Sequence, residues 1–458
     1  MTDSLPEGLL LAFYGDDFTG STDAMEVTAM AGLRTVLFTA PPSEEDLARF
    51  ADCRVIGIAG TARARSPEWM AAQLPPIFDR LAALGPRILQ YKVCSTFDSA
   101  PHTGSIGKAT ELGAAAVPPG WIPSIVGAPQ LGRFQAFGSL FATASGRQYR
   151  IDRHPTMARH PVTPMTEADL RLHLARQADV PIGGIDLAEQ ASGDLSARIA
   201  DAQSAGQVTF LDVACAVSQR AAGAMVWETS GETVFCPSSS GLQYALVAHW
   251  RASGLLPSDP PPLPRHAPVD RLLVLSGSCS PVTAEQIATA EDAGFALLRM
   301  DVLKAADPAR AGAEVARIQD EMSKAFADNR RGVLVYAART VDDPAYAALQ
   351  TWVRSAGMPM ATAQAGIGAA LGQIALRAVP RFALDRVVIA GGDTSGRVLE
   401  TLPVLALEVA HPLAPGAPIC QCHATDPDFD GLQVVLKGGQ LGPPDVFCQA
   451  MVPKAPCD

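Results

Sequence analysis

Short apolar runs alternate with helix-length segments along both halves of this chain, and that alternation restricts the fold more than any other feature. In the first half the runs fall at 9–14, 35–38, 55–59, 88–92 and 124–126, with helical patterns such as 69–84 and 104–112 between them. Later runs at 210–213 and 233–235 follow a helix expected from Thr166 to about residue 178. From Arg271 a second alternation begins, with strands at 272–275, 295–299, 332–336, 386–390 and 433–437. Helices are expected at 281–293 and 308–326, the second with Asp307 as N-cap and Pro308 at its first position. Strands joined through helices lie parallel and need helices on their faces. The stretch at 257–266, PSDPPPLPRH, is stiff and poor in core residues, so it reads as a linker. The expectation is therefore an α/β protein: two α/β domains with mostly parallel sheets and a cleft between them. Its parts are an N-terminal domain at 1–256, a Pro-rich linker at 257–270 and a C-terminal domain at 271–458.

The first strand-to-helix junction carries the densest chemistry. Residues 9–32 read LLLAFYGDDFTGSTDAMEVTAMAG. Asp16 and Asp17 stand at the carboxyl end of a strand, where open α/β sheets bind ligands. Thr19, Ser21 and Thr22 add hydroxyls, and the helix start adds N–H donors for an anion. An N-cap accounts for one such residue, not for the whole set. Three more loops follow strand ends or lie between prolines. Residues 60–67 hold Arg63 and Arg65, a pair suited to clamping a carboxylate. Residues 91–99 pack Lys92, Cys94, Ser95, Thr96 and Asp98 into one turn. Residues 151–164 place His154 and His160 in a loop stiffened by prolines, suited to closing over a ligand.

Two small-residue turns mark the second half. Gly391, Gly392, Asp393, Thr394, Ser395 and Gly396 follow a strand, as do Ser276, Gly277 and Ser278. Such turns let phosphate approach the backbone at a helix start. Neither is a P-loop, since the G-x-x-x-x-G-K-[ST] lysine is absent. Gly438 and Gly439 end the last strand beside Lys437. Gly366 and Gly368 belong to a near-match to G-x-G-x-x-G that precedes a helix without a clear strand, so no dinucleotide fingerprint is read there. Cys420-x-Cys422-His423 lacks a second ligand pair for the usual zinc spacings.

DDFTGSTD at 16–23 and GGDTSG at 391–396, near opposite ends of the chain, resemble the signatures of the four-carbon acid sugar kinases. The resemblance spans essentially the whole chain. It implies ATP-dependent phosphorylation of a terminal hydroxyl on a small, four- to five-carbon acid sugar, 3-oxo acids included, with Mg²⁺ on the phosphates. It implies sugar binding in the first domain, with Asp17 or Asp16 receiving or orienting the hydroxyl and Arg63 and Lys92 on the carboxylate. Beside Ser95 and Thr96 of the family's pattern, the residues themselves add Thr19, Cys94, His154 and His160 as candidates for substrate binding. It implies nucleotide binding in the second domain by Ser276, Ser278, Gly391, Gly392, Asp393, Thr394, Ser395, Gly438 and Gly439. The metal ligands are not indicated. The family's K-x-D-S-T motif falls on Lys92, Ser95 and Thr96, but Cys94 replaces the usual Asp. Phe97, Asp98 and Ser99 replace a usual L-R-G. A thiol does not accept sugar hydroxyls as a carboxylate does, which points to a subgroup with a modified acid sugar.

The alternatives are a two-lobed small-molecule-binding protein or another nucleotide-dependent α/β enzyme. A formal charge of −11 argues against a nucleic-acid partner. No apolar run is long enough to span a membrane. The N-terminus lacks a signal-peptide pattern and the nine cysteines are scattered, so a cytoplasmic protein with reduced thiols is expected.

Overall fold

The computed structural model describes residues 4–144, 146–160, 162–259 and 263–453. Pro260, Pro261 and Pro262 of the expected linker, and Pro161 of the histidine loop, lie outside the described residues. The chain forms two compact units, Met1–Pro262 and Leu263–Asp458.

In the first unit five parallel strands run side by side in the order Val234–Ser238, Ile88–Lys92, Leu11–Gly15, Val55–Ala59, Thr35–Phe38. Every residue of Leu11–Gly15 is buried, as a strand covered by helices on both faces requires. Register sets the site. Gly15 stands opposite Ala59 and Lys92, and Lys92 opposite Ser238. The loops after these four strands therefore leave one edge together. Helices Phe18–Met30, Pro67–Ala83 and Ile106–Ala114 supply the crossovers. Phe78 meets the rings of Tyr14, Tyr91 and Phe235 at 6.4, 6.2 and 5.8 Å and ties a helix to three strands. A smaller parallel sheet joins Ile122–Ser124, Val208–Leu211 and Ile182–Ile185. An antiparallel meander of Arg133–Ala136, Ser139–Ala144 and Arg147–Arg150 was not among the expected strands.

In the second unit Gln433–Lys437, Arg386–Ala390, Leu272–Ser276, Gly332–Tyr336 and Ala296–Arg299 are parallel neighbours in that order. An antiparallel hairpin, Val404–Ala414 with Ala417–Ala424, extends the sheet from Gln433–Lys437. Cys420 and Cys422 are buried strand residues of that hairpin, and His423 faces Glu408 at 2.8 Å.

Two helix expectations are corrected by local side-chain chemistry. The helix expected from Thr166 shrinks to Leu170–Leu174, because Glu167 Oε1 accepts the Ala168 and Asp169 N–H groups and holds that stretch out of helix. The helix expected at 308–326 begins later, as Ala311–Ala327. Asp307 instead closes a turn ahead of it, accepting from Ala309 N at 3.0 Å and Arg310 Nε at 2.7 Å. Among the described residues no helix is long and apolar enough to cross a membrane.

Candidate active site

The first unit gathers its acids and cations at the carboxyl edge of the sheet. Asp17 caps the helix Phe18–Met30: its Oδ1 accepts from Gly20 N at 2.8 Å. Its Oδ2 accepts from Thr19 Oγ1 at 3.0 Å and Arg63 Nη1 at 3.3 Å. Asp16 is placed differently. Its backbone is pinned, N–H to Lys92 O at 2.9 Å and C=O from Arg63 N at 3.1 Å. Its side chain is buried and Oδ1 has no partner among the described residues. Burial, and then the charge of Asp17, push the Asp16 carboxyl up to about 7, against the pull of Lys92 and Arg63.

Lys92 is buried and its Nζ lies where a side chain on Gly20 would have to go. Only glycine at 20 leaves room for both that ammonium and the Asp17 carboxylate. Asp23, one turn into the helix, is also buried, with one carboxyl oxygen unpartnered. Burial raises its pKa, while Lys92 and the Ser240 hydroxyl oppose the rise.

Arg63 bridges two loops. Its Nη2 donates to Asp98 Oδ2 at 2.7 Å while Nη1 reaches Asp17. Thr96 donates to the other Asp98 oxygen, and Thr163 Oγ1 donates to Oδ2 at 3.2 Å. Burial works against the Asp98 charge, but Arg63, Thr96 and His160 outweigh it and hold the carboxyl down at about 2. Cys94 Sγ stands 3.0 Å from Thr96 Oγ1, and burial raises its thiol pKa. Ser95 is half-buried in the same turn.

The two histidines separate. His160 joins the cluster through Thr163, whose N–H it accepts at 3.1 Å. His154 closes its own loop: Nδ1 accepts from the Thr156 and Met157 N–H groups, both at 3.2 Å, and the ring meets Tyr149. Burial lowers its pKa. Asp98, Asp23, Thr163 and Ser240 were not among the expected site residues. Asp98 carried a signal, being a charged residue in a dense polar turn. Asp23 likewise lay in the DDFTGSTD motif, while Thr163 and Ser240 are set beside the edge by tertiary packing.

The second unit repeats the arrangement with hydroxyls and bare backbone. Ser276 stands opposite Ala390, and Ala390 opposite Lys437, so the loops 276–280, 390–395 and 437–442 share one edge. Gly391 has φ +122 and caps the helix Gly392–Thr401, so the helix begins inside the small-residue turn itself. Asp393 and Thr394 thus lie in a helical first turn whose N–H groups have no partner four residues back. Ser395 Oγ donates to Gly391 O at 2.8 Å and fixes the turn. Gly277 and Gly391 leave the space that Thr394 Oγ1 fills, and Gly439 faces Ser278 Oγ. Ser276 Oγ and Ser280 Oγ are buried without partners among the described residues. Lys437 turns inward: fully buried, its Nζ donates to Gly438 O at 2.8 Å, Leu441 O at 3.2 Å and Thr283 Oγ1 at 3.3 Å. Burial pulls its pKa down to about 7.

An acid-and-cation edge in one unit and a hydroxyl-and-glycine edge in the other define a two-domain enzyme of the phosphotransferase class. Residues 11–246 match a sugar-binding N-terminal domain, and residues 273–447 a nucleotide-binding C-terminal domain. The chain is 49% identical over 445 residues to a 3-oxo-isoapionate kinase of Paraburkholderia graminis, covering 96% of this chain and 94% of that one. It is 31% identical over 453 residues to a 3-oxo-tetronate kinase of Pseudomonas fluorescens, covering 98% of each. Among solved structures, a Salmonella typhimurium protein described as a putative tRNA synthase shares the fold, with a TM-score of 0.73 at 22% identity over 96% of this chain and 98% of that one. A Haemophilus influenzae protein does so with a TM-score of 0.65 at 22% identity, over 96% and 98%. The chain belongs to the four-carbon acid sugar kinase family.

Proposed function

We propose that this kinase transfers the γ-phosphoryl group of ATP to the terminal hydroxyl of a four- to five-carbon 3-oxo acid sugar, a branched acid of the 3-oxo-isoapionate type ahead of a linear tetronate. The 49% identity to a 3-oxo-isoapionate kinase, against 31% to a 3-oxo-tetronate kinase, supports the branched acid.

Asp16 is the observation that carries the mechanism. Phosphoryl transfer needs positioning and charge neutralisation more than covalent help. A base works best with a pKa near the working pH, and a buried carboxyl held at about 7 with a vacant oxygen fits that role. Asp17 is already committed to Gly20, Thr19 and Arg63, so it serves as the frame. Asp16 accepts the hydroxyl proton as the oxygen attacks, and Lys92 steadies the resulting arrangement of charge. In the second unit Ser276, Ser278, Gly391, Gly392, Thr394, Ser395, Gly438 and Gly439 cradle the phosphates by hydroxyls and backbone N–H groups.

The donors there fit Mg²⁺, a hard cation that prefers oxygen ligands and retains water. Asp393 and Thr394 would hold it, and when bound it neutralises phosphate oxygens. Eight free cysteines among the described residues suit a reducing cytoplasm.

A coupled ADP-release assay with ATP and Mg²⁺ against linear and branched acid sugars, each with its 3-oxo form, tests the reading. Turnover with a branched 3-oxo acid at least tenfold above the others is expected. ATP binding with no turnover on any acid would overturn it.

A further inference from the structure

We infer that Arg133 holds the carboxylate of the acid sugar, an assignment that rests on the kinase reading above. The substrate brings one fixed negative charge into an edge that already contains several carboxylates, so a cation must be left to receive it. Arg63 is divided between Asp17 and Asp98. Lys92 lies against Gly20 and opposes the raised pKa values of Asp16 and Asp23. Arg133 is a further cation whose field reaches the cluster, acting on Asp23 and on the Cys94 thiol.

Its position is built. Arg133 opens the Arg133–Ala136 strand, and its backbone is locked to Ala128 by bonds of 2.9 and 3.1 Å in both directions. The segment just before it packs on the loop after Val234–Ser238: Ser239 Oγ donates to Val126 O at 2.8 Å. Any side chain on Gly241 would strike Gly127 O. That packing brings the arginine to the loop that carries Ser240, beside Asp23.

The guanidinium is incompletely satisfied. Nη1 donates to Leu131 O at 3.1 Å and Gly132 O at 3.3 Å. Nε is buried with no partner, and no carboxylate lies within ion-pair distance among the described residues. Two neutral carbonyls orient the group without neutralising it. Nη2 makes no hydrogen bond among the described residues and is the donor left to meet a carboxylate. Desolvation of an unpaired guanidinium is costly, and an incoming carboxylate removes that cost. Arg133 thereby becomes the residue that selects acids over neutral sugars.

The test compares a turned-over acid with its neutral methyl ester in wild type, Arg133→Gln and Arg133→Lys. Arg133→Gln is expected to raise KM for the acid on the order of 100-fold. It should leave KM for ATP unchanged and collapse the acid-to-ester ratio of kcat/KM toward one. Arg133→Lys, which keeps charge but not the fork, should restore part of that ratio and covers the case of a poorly folded glutamine variant. An unchanged ratio in both variants overturns the assignment, whatever happens to overall activity. Calorimetric binding of the acid keeps the two readings apart. Wild type that binds the acid without turnover overturns the kinase reading, while loss of that binding in Arg133→Gln still supports Arg133.

Discussion

Asp16 and Asp17 are neighbours with opposite assignments, and the difference lies in their hydrogen bonds. Asp17 is saturated at the helix cap, whereas Asp16 is buried with a free oxygen. Asp16→Asn should lower kcat by about 100-fold or more, read from initial rates. The wild-type kcat should rise between pH 6 and pH 8 as Asp16 loses its proton near 7. The same residue costs stability. Its folded pKa lies above its usual value of 3.8, so the fold favours the protonated form and loses stability as pH rises from about 4 to about 7. Asp16→Asn should therefore melt a few degrees higher than wild type at pH 8 by calorimetry. Asp98 has the reverse sign. Held at about 2, it contributes stability that is complete above pH 4 and lost as pH falls toward 2. Arg63→Ala leaves that buried carboxylate without its cation and should cost about 3 kcal/mol in urea unfolding, with activity lost. Asp16, Asp17, Arg63, Lys92 and Thr96 were legible because each sits beside a strand end in the chain itself. Asp98 was visible as chemistry but not as a partner. Its role depends on Arg63 and Thr163, which are distant in sequence and near only after folding.

At the scale of elements, the parallel strands were legible because each is an unbroken apolar run, the pattern left by burial on both faces. Val404–Ala414 and Ala417–Ala424 were not. Their exposure is mixed, His411 and Pro412 interrupt the apolar run, and register shifts break the alternation a hairpin would show. The GGDTSG segment reads from sequence as a turn ahead of a helix, whereas Ser395 and the φ of Gly391 start the helix at Gly392. Gly391→Ala tests that turn. Alanine at φ +122 is strained by about 1–3 kcal/mol, and its methyl group would crowd Thr394 and Ser278 N. KM for ATP should rise at least tenfold while KM for the acid stays within twofold, measured by varying each substrate at saturation of the other.

For the whole molecule, the two edges differ in kind: charged side chains predominate in the first unit, hydroxyls and bare backbone in the second. Hydrogen exchange should report that division. A non-hydrolysable ATP analogue is expected to slow amides at 276–280 and 391–396, and the acid sugar those at 15–20 and 92–99. Protection by the analogue confined to the first unit would reverse the assignment of the two domains. One buried group also offers a clock. Lys437 is an amine with a pKa near 7 sealed inside its own loop. An acylating reagent that labels surface lysines within seconds can reach it only when that loop comes apart. The rate of its modification, followed by peptide mass, counts those openings directly, and saturating nucleotide should make them rarer.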